Sequence, residues 1–140
     1  LTNFVVDNIK FSSMEQFMMY KKAVCFSDRE IAESILKTSD VAKIKELGRK
    51  VSGYQENIWN GVRQIIVYKG LIEKFSQNTM LKEQLKETKG SVLAECAVKD
   101  RIWGIGLSMN DPKRMDINQW KGQNLLGYAL MMVREKLEEG

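Results

Sequence analysis

The chain contains no histidine among its 140 residues. Without an imidazole side chain, Ser-His-Asp and Cys-His triads, histidine general bases and most catalytic zinc sites are excluded. An enzyme built on this sequence would therefore work with carboxylates, lysines or bound water.

Cysteine and proline are scarce, and long apolar runs are absent. Cys25 and Cys96 are the two cysteines, and neither has a second type of metal ligand near it, so we expect no metal site, no cofactor and no disulfide framework. Both stand among apolar residues, which predicts buried, reduced thiols and a cytoplasmic protein. No signal peptide is recognisable, and no apolar run approaches the roughly 18 residues of a membrane span.

The amino-acid composition is that of a globular protein. Hydrophobic residues make up 44% and charged residues 29% of the chain, and this length suffices to bury a core, so we predict one domain over residues 1–140. Lys and Arg outnumber Asp and Glu by 22 to 18. The resulting net charge of +4 mildly favours anionic partners such as phosphates or nucleic acid.

Hydrophobic periodicity predicts a predominantly helical α+β fold with a few short strands. Residues 1–11 favour two strands around a turn at Asp7-Asn8. Residues 91–98 are the best later strand candidate, although an apolar run of this length is also compatible with a buried helix. Helices are predicted from Ser12, from a second capping box at Ser27, from Asp40 to a stop at Gly48, and over residues 55–75, 79–88 and 124–138.

The helix predicted over residues 55–75 is the longest periodic segment. One apolar stripe, interrupted at Lys69 and widened by Trp59 and Ile66, is the predicted buried face; it consists of Ile58, Val62, Ile65 and Ile72. Trp59 is therefore either a core residue or a stacking platform for a ligand.

Glu15 admits two interpretations. Ser12-x-x-Glu15 has the spacing of a capping box, in which the glutamate satisfies the start of the helix. Lys22, however, lies seven residues further on, about 20° away on the same helical face and roughly 10.5 Å along the axis. The pair could equally form part of an active site.

The stretch from Asp100 to Gly106 is the least generic part of the chain. Gly104 and Gly106 allow close approach of a backbone, and Trp103 offers a flat face for a heterocycle. A turn with a core tryptophan is the alternative. The third glycine of a dinucleotide fingerprint is missing, as is the end of a phosphate-binding P-loop.

Two further positions suit phosphate binding. Asn124, which follows Trp120 by four residues, either only caps the last helix or presents helix amides to a phosphate. Gly48-Arg49 is either a C-cap glycine with a surface arginine or an arginine directed at a phosphate.

Taken in order, these pieces resemble the NADAR (YbiA-like) family over essentially the whole chain. Leu1-Thr2-Asn3-Phe4 is similar to the start of that family, and Ser13-Met14-Glu15-Gln16-Phe17 with Lys22 is similar to its Ser-x-Glu helix and following lysine. The remaining matches fall in the order of the family, at Leu47-Gly48-Arg49, Trp59, Lys74-Phe75, Glu95 followed by Asp100, Trp103-Gly104-x-Gly106 and Gly122-x-Asn124-x-Leu126-Gly127.

The resemblance implies a hydrolase acting on N-glycosyl bonds, which cleaves a ribose-type sugar from a nitrogen. The expected substrate is ADP-ribosylated guanine in a nucleotide or nucleic acid. A phosphoribosyl small molecule of early riboflavin biosynthesis is the second enzymatic alternative, and a non-catalytic ADP-ribose-binding or nucleotide-binding module is the third.

The resemblance also assigns roles to residues. Glu15 would move a proton, Lys22 would be a nucleophile or electrostatic stabiliser, and Asp100 would bind ribose hydroxyls or act as a second acid or base. Substrate-binding roles would fall to Asn3, Phe4, Arg49, Trp59, Trp103, Gly104, Gly106, Trp120 and Asn124.

Two departures from the family pattern concern the pocket. Gln16 stands where many members have histidine, so that position is not expected to be an obligatory acid or base. Members also have an earlier segment with an aromatic residue before the match to Leu1-Thr2-Asn3-Phe4, so we expect either a pocket lacking one wall or a naturally short chain.

Overall fold

The computed structural model describes residues 2–139, so the Leu1 part of the first motif and Gly140 lie outside the described residues. The chain divides into two compact units, Leu1–Lys82 and Glu83–Gly140. Two strands, β1 (Phe4–Val6) and β2 (Ile9–Phe11), precede four helices, α1 (Met14–Cys25), α2 (Arg29–Leu36), α3 (Val41–Arg49) and α4 (Glu56–Ser76). Helix α5 (Thr79–Glu87), two short 3₁₀ turns (Pro112–Met115 and Ile117–Gln119) and helix α6 (Leu125–Glu138) follow. The predicted mainly helical α+β fold is confirmed.

The hairpin forms because its two turn residues accept a left-handed backbone. Asp7 has φ 50° and Asn8 has φ 67°, as the tightest two-residue hairpin turns require. The register places Phe4 opposite Phe11. Both strands and the turn at Asp7-Asn8 are as predicted.

The first unit is organised around α1, which packs against α2, α3 and α4. One face of α1 places Phe17 in a cluster with Phe4 and Phe11, with ring centroids 5.1 to 5.9 Å apart. All three rings are fully buried. A second cluster, between α1, α2 and α3, is formed by Ala23, Ala32, Ile35, Ile44 and Val51.

The buried face predicted for the long helix is only partly right, because Ile58 and Ile65 are exposed while Val62 and Ile72 are half-buried. Ile65 is 69% exposed and Ile58 is 40% exposed, whereas Trp59, Val67 and Leu71 are buried. The reason lies at Gly70, where a β-carbon would come within 2.7 Å of the Phe17 ring. A glycine contributes nothing to a hydrophobic stripe, yet here it sets the face of α4 that meets α1.

Two predicted helix starts shift by one residue. Ser13, not Ser12, caps α1 by accepting from the Gln16 amide. Asp28, not Ser27, caps α2 by accepting from the Ile31 amide. Ser27 has φ 58°, so it turns the chain between the two helices.

Helix α3 begins as predicted and ends later. Asp40 accepts from the amides of Ala42 and Lys43, which confirms the predicted cap. Gly48 does not stop the helix, because it is buried against Met19 of α1. A side chain at Gly48 would overlap the Met19 sulfur, so the Met19 side chain would have to move to admit it.

The second unit contains α6 and an irregular chain that precedes it. Helix α6 is as predicted, but the strand expected over residues 91–98 is not formed. The side-chain amide of Asn124 makes the hydrogen bonds to the backbone of Leu93 and Glu95 that a neighbouring strand would otherwise make.

The predicted burial of the thiols is wrong, since Cys25 is exposed and Cys96 is half-buried. Both cysteines are free. None of the described helices is long and apolar enough to cross a bilayer.

Candidate active site

The carboxylate of Glu15 is not used by the helix cap. Ser13 Oγ accepts from the Gln16 amide at 3.1 Å, and Gln16 Oε1 accepts from the Ser12 amide at 2.7 Å. The side chains of Ser13 and Gln16 therefore make the capping hydrogen bonds at the start of α1. Glu15 is half-buried and has no hydrogen bond or ion pair to any residue that the structure describes. The capping interpretation of Glu15 is wrong.

Lys22 lies two turns after Glu15 on the same helix, in a partly buried position. Its Nζ is 4.5 Å from the centroid of the Tyr54 ring, within the range of a cation–π contact. Burial lowers the pKa of Lys22 below its ordinary value of 10.5, and the neighbouring Arg49 guanidinium lowers it further. Both causes penalise the ammonium form, and this favours a neutral amine.

Arg49 occupies the last turn of α3 and is exposed. The glutamate nearest to it in the chain, Glu46, pairs instead with Lys50 at 3.2 Å. Within residues 2–139, neither Lys22 nor Arg49 has a carboxylate oxygen within 4 Å. The Lys50 hydrogen bond, and more weakly the charge of Arg49, lower the pKa of Glu46, so an acid stands in the neighbourhood of Arg49 without forming a salt bridge to it. Two cations near one another and outside any salt bridge form a site that suits an anion such as phosphate.

Tyr54 is held over Lys22 by an anchored loop. Asp28 Oδ2 accepts from the Ser52 amide at 2.9 Å and from the Ser52 hydroxyl at 3.1 Å. These bonds and the one from Ile31 lower the pKa of Asp28. Gly53, with φ 72°, then turns the chain so that Tyr54 packs edge-on against Phe26, with centroids 5.4 Å apart.

Sequence reasoning missed Tyr54. The available signal was an aromatic residue directly after a glycine in the loop that follows Arg49. Its position depends on an aspartate 24 residues away from Ser52, which no local pattern reveals.

In the second unit, Asp100 organises the predicted turn. Its Oδ1 accepts from the amides of Ile102 at 3.1 Å and Trp103 at 2.8 Å. One carboxylate oxygen thus holds the loop in place. Trp103 is half-buried at the end of this turn.

The two glycines after Trp103 are approached by the chain itself. A β-carbon at Gly104 would lie 2.8 Å from the Glu95 carbonyl oxygen. Gly106 has φ 73°, and a β-carbon there would lie 3.1 Å from Lys121 Cβ. The described neighbours of both glycines are atoms of the protein itself, and the approach of a ligand to them stays a prediction.

Asn124 stands at the N-cap position of α6 without capping it through its side chain. Its Oδ1 accepts from the Glu95 amide at 2.9 Å, and its Nδ2 donates to the Leu93 carbonyl at 2.8 Å. Its backbone amide donates to the Gly104 carbonyl at 2.9 Å. This fully buried residue therefore holds three parts of the second unit together.

The other predicted ligand-binding residues have structural contacts of their own. Phe4 is in the aromatic cluster, Trp59 is 6% exposed, and Trp120 donates from its indole Nε1 to the Arg114 carbonyl at 2.8 Å. The Asn3 carbonyl accepts from the Asn78 side chain at 3.4 Å. For Trp59 the core interpretation agrees with its burial, and substrate contacts of all four residues stay predictions.

The structure brings predicted site residues together within each unit. Lys22 meets Arg49 in the first unit, on the helix that also contains Glu15. In the second unit one turn contains Asp100, Trp103, Gly104 and Gly106, and Asn124 is bonded to it.

The helical α+β fold of this chain is shared with a solved structure. The NMR structure of Escherichia coli YbiA covers 98% of this chain with a TM-score of 0.79 and 28% sequence identity, and the chain covers 73% of that protein. The model of the NADAR domain family matches residues 2–138. The chain belongs to the NADAR domain family.

Similar proteins differ in name and length. Protein irg-1 of Caenorhabditis elegans is 42% identical over 131 residues, which are 92% of this chain and 62% of irg-1. N-glycosidase R617 of Acanthamoeba polyphaga mimivirus is 39% identical over 130 residues, 93% of this chain and 76% of R617. Riboflavin biosynthesis protein VVA0006 of Vibrio vulnificus is 35% identical over 120 residues, 86% of this chain and 30% of that protein. The chain thus spans less than two thirds of two of these relatives.

Proposed function

We propose that this chain is an N-glycosidase that hydrolyses the C–N bond between a phosphorylated ribose and an amino-bearing heterocycle. The observation that supports this most is the half-buried Lys22 beside Arg49, with no carboxylate within 4 Å of either cation among the described residues. Two relatives are named N-glycosidases. We favour ADP-ribosylated guanine in nucleic acid as the substrate.

The chemistry begins with departure of the base. As the C1′–N bond breaks, its electron pair moves to the heterocycle nitrogen and positive charge develops at C1′. In one route the neutral Lys22 amine forms a new bond to C1′, the ribose ring opens to an imine, and water then hydrolyses the imine to free sugar and amine. In the other route, water attacks C1′ directly and Lys22 acts through its charge.

The carboxylates move the protons in this proposal. Glu15, which no cap or ion pair among the described residues occupies, gives a proton to the leaving nitrogen and later takes one from the attacking water. Asp100 binds ribose hydroxyls or serves as the second acid or base, through the oxygen that does not hold the Trp103 turn.

The exposure of each candidate side chain indicates which part of the substrate it can bind. Arg49 is the best candidate for a phosphate, since it is exposed and beside Lys22, whereas the side chain and amide of Asn124 are already bonded. Trp103, which is half-buried, suits stacking on the heterocycle better than the buried Trp59.

A second candidate substrate is an aminated ribosylpyrimidine of riboflavin synthesis. The name of the Vibrio vulnificus relative favours it, and the chemistry is the same because this compound also joins a phosphorylated ribose to an amino-bearing ring. A non-catalytic nucleotide-binding module is the remaining alternative, and it would bind without releasing base.

The test is incubation of the protein with ADP-ribosylated guanine DNA and, separately, with the ribosylpyrimidine, with free base measured by mass. We expect release from the DNA. Lys22→Ala and Glu15→Gln should each lower kcat by about 100-fold or more. Lys21→Ala is the matched control, because Lys21 adjoins Lys22 but faces Asp7 at 3.9 Å.

Each outcome has a defined meaning. Release only from the pyrimidine would transfer the assignment to riboflavin chemistry, and binding without release would leave a binding module. Wild-type rates in both variants would remove the pair from catalysis. Borohydride trapping separates the two routes, since an adduct on Lys22 requires the imine.

A further inference from the structure

A pocket in the first unit lies on a different side of α1 from Lys22. It has a volume of about 370 Å³ and is lined by Asn3, Lys10 of β2, Ser12 and Gln16 at the start of α1, and the segment from Leu36 to Ser39. It shares no residue with the Lys22–Arg49–Tyr54 cluster. Gln16 precedes Lys22 by six positions, which places the two about 120° apart around the helix.

The lining is cationic and contains no acid. Lys10 and Lys37 are both exposed, and neither has a carboxylate oxygen within 4 Å in the described part of the chain. The remaining polar residues offer hydroxyl and amide groups. Two acids adjoin lining residues in sequence, Glu15 before Gln16 and Asp40 after Ser39. The carboxylate of Asp40 is turned into the start of α3, where it accepts from two amides.

A buried glutamine satisfies two backbone carbonyls where α2 ends at this pocket. The last carbonyls of a helix normally present partial negative charge. Gln16 Nε2 donates to the Ile35 carbonyl at 3.1 Å and to the Thr38 carbonyl at 2.9 Å. Two acceptors at the end of α2 are thus satisfied.

The same glutamine makes the pocket rigid. Its Oε1 accepts from the Ser12 amide at 2.7 Å and from the Ser12 hydroxyl at 3.1 Å. The end of β2 and the end of α2, which place the two lysines, are therefore tied to one 4% exposed side chain. The backbone that supports the two lysines is thus held in place before a ligand binds, so that only their side chains have to be ordered.

The excess of positive charge lies in the first unit, which contains this pocket. Residues 1–82 contain 13 Lys and Arg against 9 Asp and Glu, whereas residues 83–140 contain nine of each. The whole net charge of +4 thus belongs to the unit that contains this pocket and the Lys22–Arg49 pair.

We propose that the Lys10–Lys37 pocket binds a phosphate group of the substrate, at a position separate from the phosphate near Arg49. The inference rests on the proposed function for the identity of the substrate. A phosphodiester of the nucleic-acid strand beside the modified guanine supplies this phosphate, or a phosphate of a free nucleotide does so. Two lysines with hydroxyl donors between them suit either source.

The test compares the double variant Lys10→Gln/Lys37→Gln with wild type. Its matched control is Lys43→Gln/Lys45→Gln, which removes two exposed lysines of α3 outside the pocket. The first arm measures binding of an unmodified single-stranded oligonucleotide against salt concentration. The second measures binding of ADP-ribose, and the third measures kcat and KM on ADP-ribosylated guanine DNA.

If the strand supplies the phosphate, the pocket variant lowers the slope of log K against log salt by roughly 0.7, which is the value for the one phosphate charge that the two lysines no longer neutralise. KM on DNA then rises while kcat stays unchanged. Weaker binding of ADP-ribose alone assigns the pocket to a free nucleotide. Equally weakened binding in the control pair, or unchanged binding in both arms for a normally folded pocket variant, overturns the proposal.

Failure of the proposed function is distinguishable from failure of this inference. A protein that releases no base from any substrate fails the third arm only. The two binding arms, together with the circular dichroism and thermal midpoint of each variant, still decide whether the pocket holds phosphate.

Discussion

At the scale of single residues, the proposed chemistry depends on how Lys22 is surrounded. Its helix buries part of the side chain, α3 places a guanidinium beside it, and an anchored loop places Tyr54 over its ammonium group. Burial and Arg49 act in the same direction on the pKa. The lysine is therefore more readily available as a neutral amine than a lysine on an open surface.

Replacing Arg49 by Gln should raise the pKa of Lys22 toward its ordinary value, because the like charge that opposes protonation is removed. Burial remains, so the pKa should stay below that of an exposed lysine. The measurement is an NMR titration of ¹³C-labelled lysine in a phosphate-free buffer. Arg29→Gln, on α2, is the control and should leave the Lys22 titration in place. An unchanged or lower pKa in Arg49→Gln would contradict the electrostatic assignment.

At the scale of elements, two glycines set the distances between α1 and its neighbours. Gly48 admits Met19 between α1 and α3, and Gly70 admits Phe17 between α1 and α4. The first contact fixes where Arg49 stands relative to Lys22. The second keeps the aromatic cluster closed.

Gly70→Ala should destabilise the protein by about 1–3 kcal/mol, because the added methyl would enter the buried Phe17 ring and overpack the core. Gly61→Ala is the matched control on the same helix. Nothing lies within 4 Å of a β-carbon there, so the better helix propensity of alanine should increase stability by up to about 1 kcal/mol. Urea unfolding of both variants measures the difference. A Gly70→Ala protein as stable as Gly61→Ala would show that α1 and α4 are not in close contact.

The elements themselves could largely be predicted from the sequence, because their signals are local. Asp7-Asn8 indicates the hairpin turn, Asp40 indicates the start of α3, and apolar periodicity indicates α4 and α6. The buried face of α4 could be predicted only in part, since it depends on Gly70 meeting Phe17, 53 positions earlier. The strand expected over residues 91–98 does not form, because the backbone there bonds to a single side chain, Asn124, and not to a second strand.

The residues of the candidate site could be predicted from the sequence to a similar extent. Lys22 and Arg49 were identified from their motifs, and the structure places them together. Tyr54 was missed because its position depends on the long-range bond between Asp28 and Ser52. Glu15 could be separated from the cap only once the structure showed Ser13 and Gln16 in that role.

At the scale of the whole molecule, acid stability should depend on Asp28. Its pKa is lowered in the folded state by the Ser52 and Ile31 bonds, so the charged carboxylate stabilises the fold above its ordinary pKa, and this contribution is lost as pH falls through the folded value. The free energy of unfolding of Asp28→Asn should therefore be lower than that of wild type at pH 7. The two should converge below about pH 4. Parallel curves from neutral pH to strong acid would contradict this.

Asn124 has a consequence for the chemical ageing of the protein. Its left-handed backbone, φ 53°, is tolerated by few residues besides glycine, asparagine and aspartate. Its two side-chain bonds require one donor and one acceptor. Deamidation would convert the donor facing the Leu93 carbonyl into an oxygen, so two acceptors would then face each other where a hydrogen bond of 2.8 Å had been. The exchange of one atom would release the chain around Glu95 from α6 while leaving the backbone conformation of residue 124 allowed.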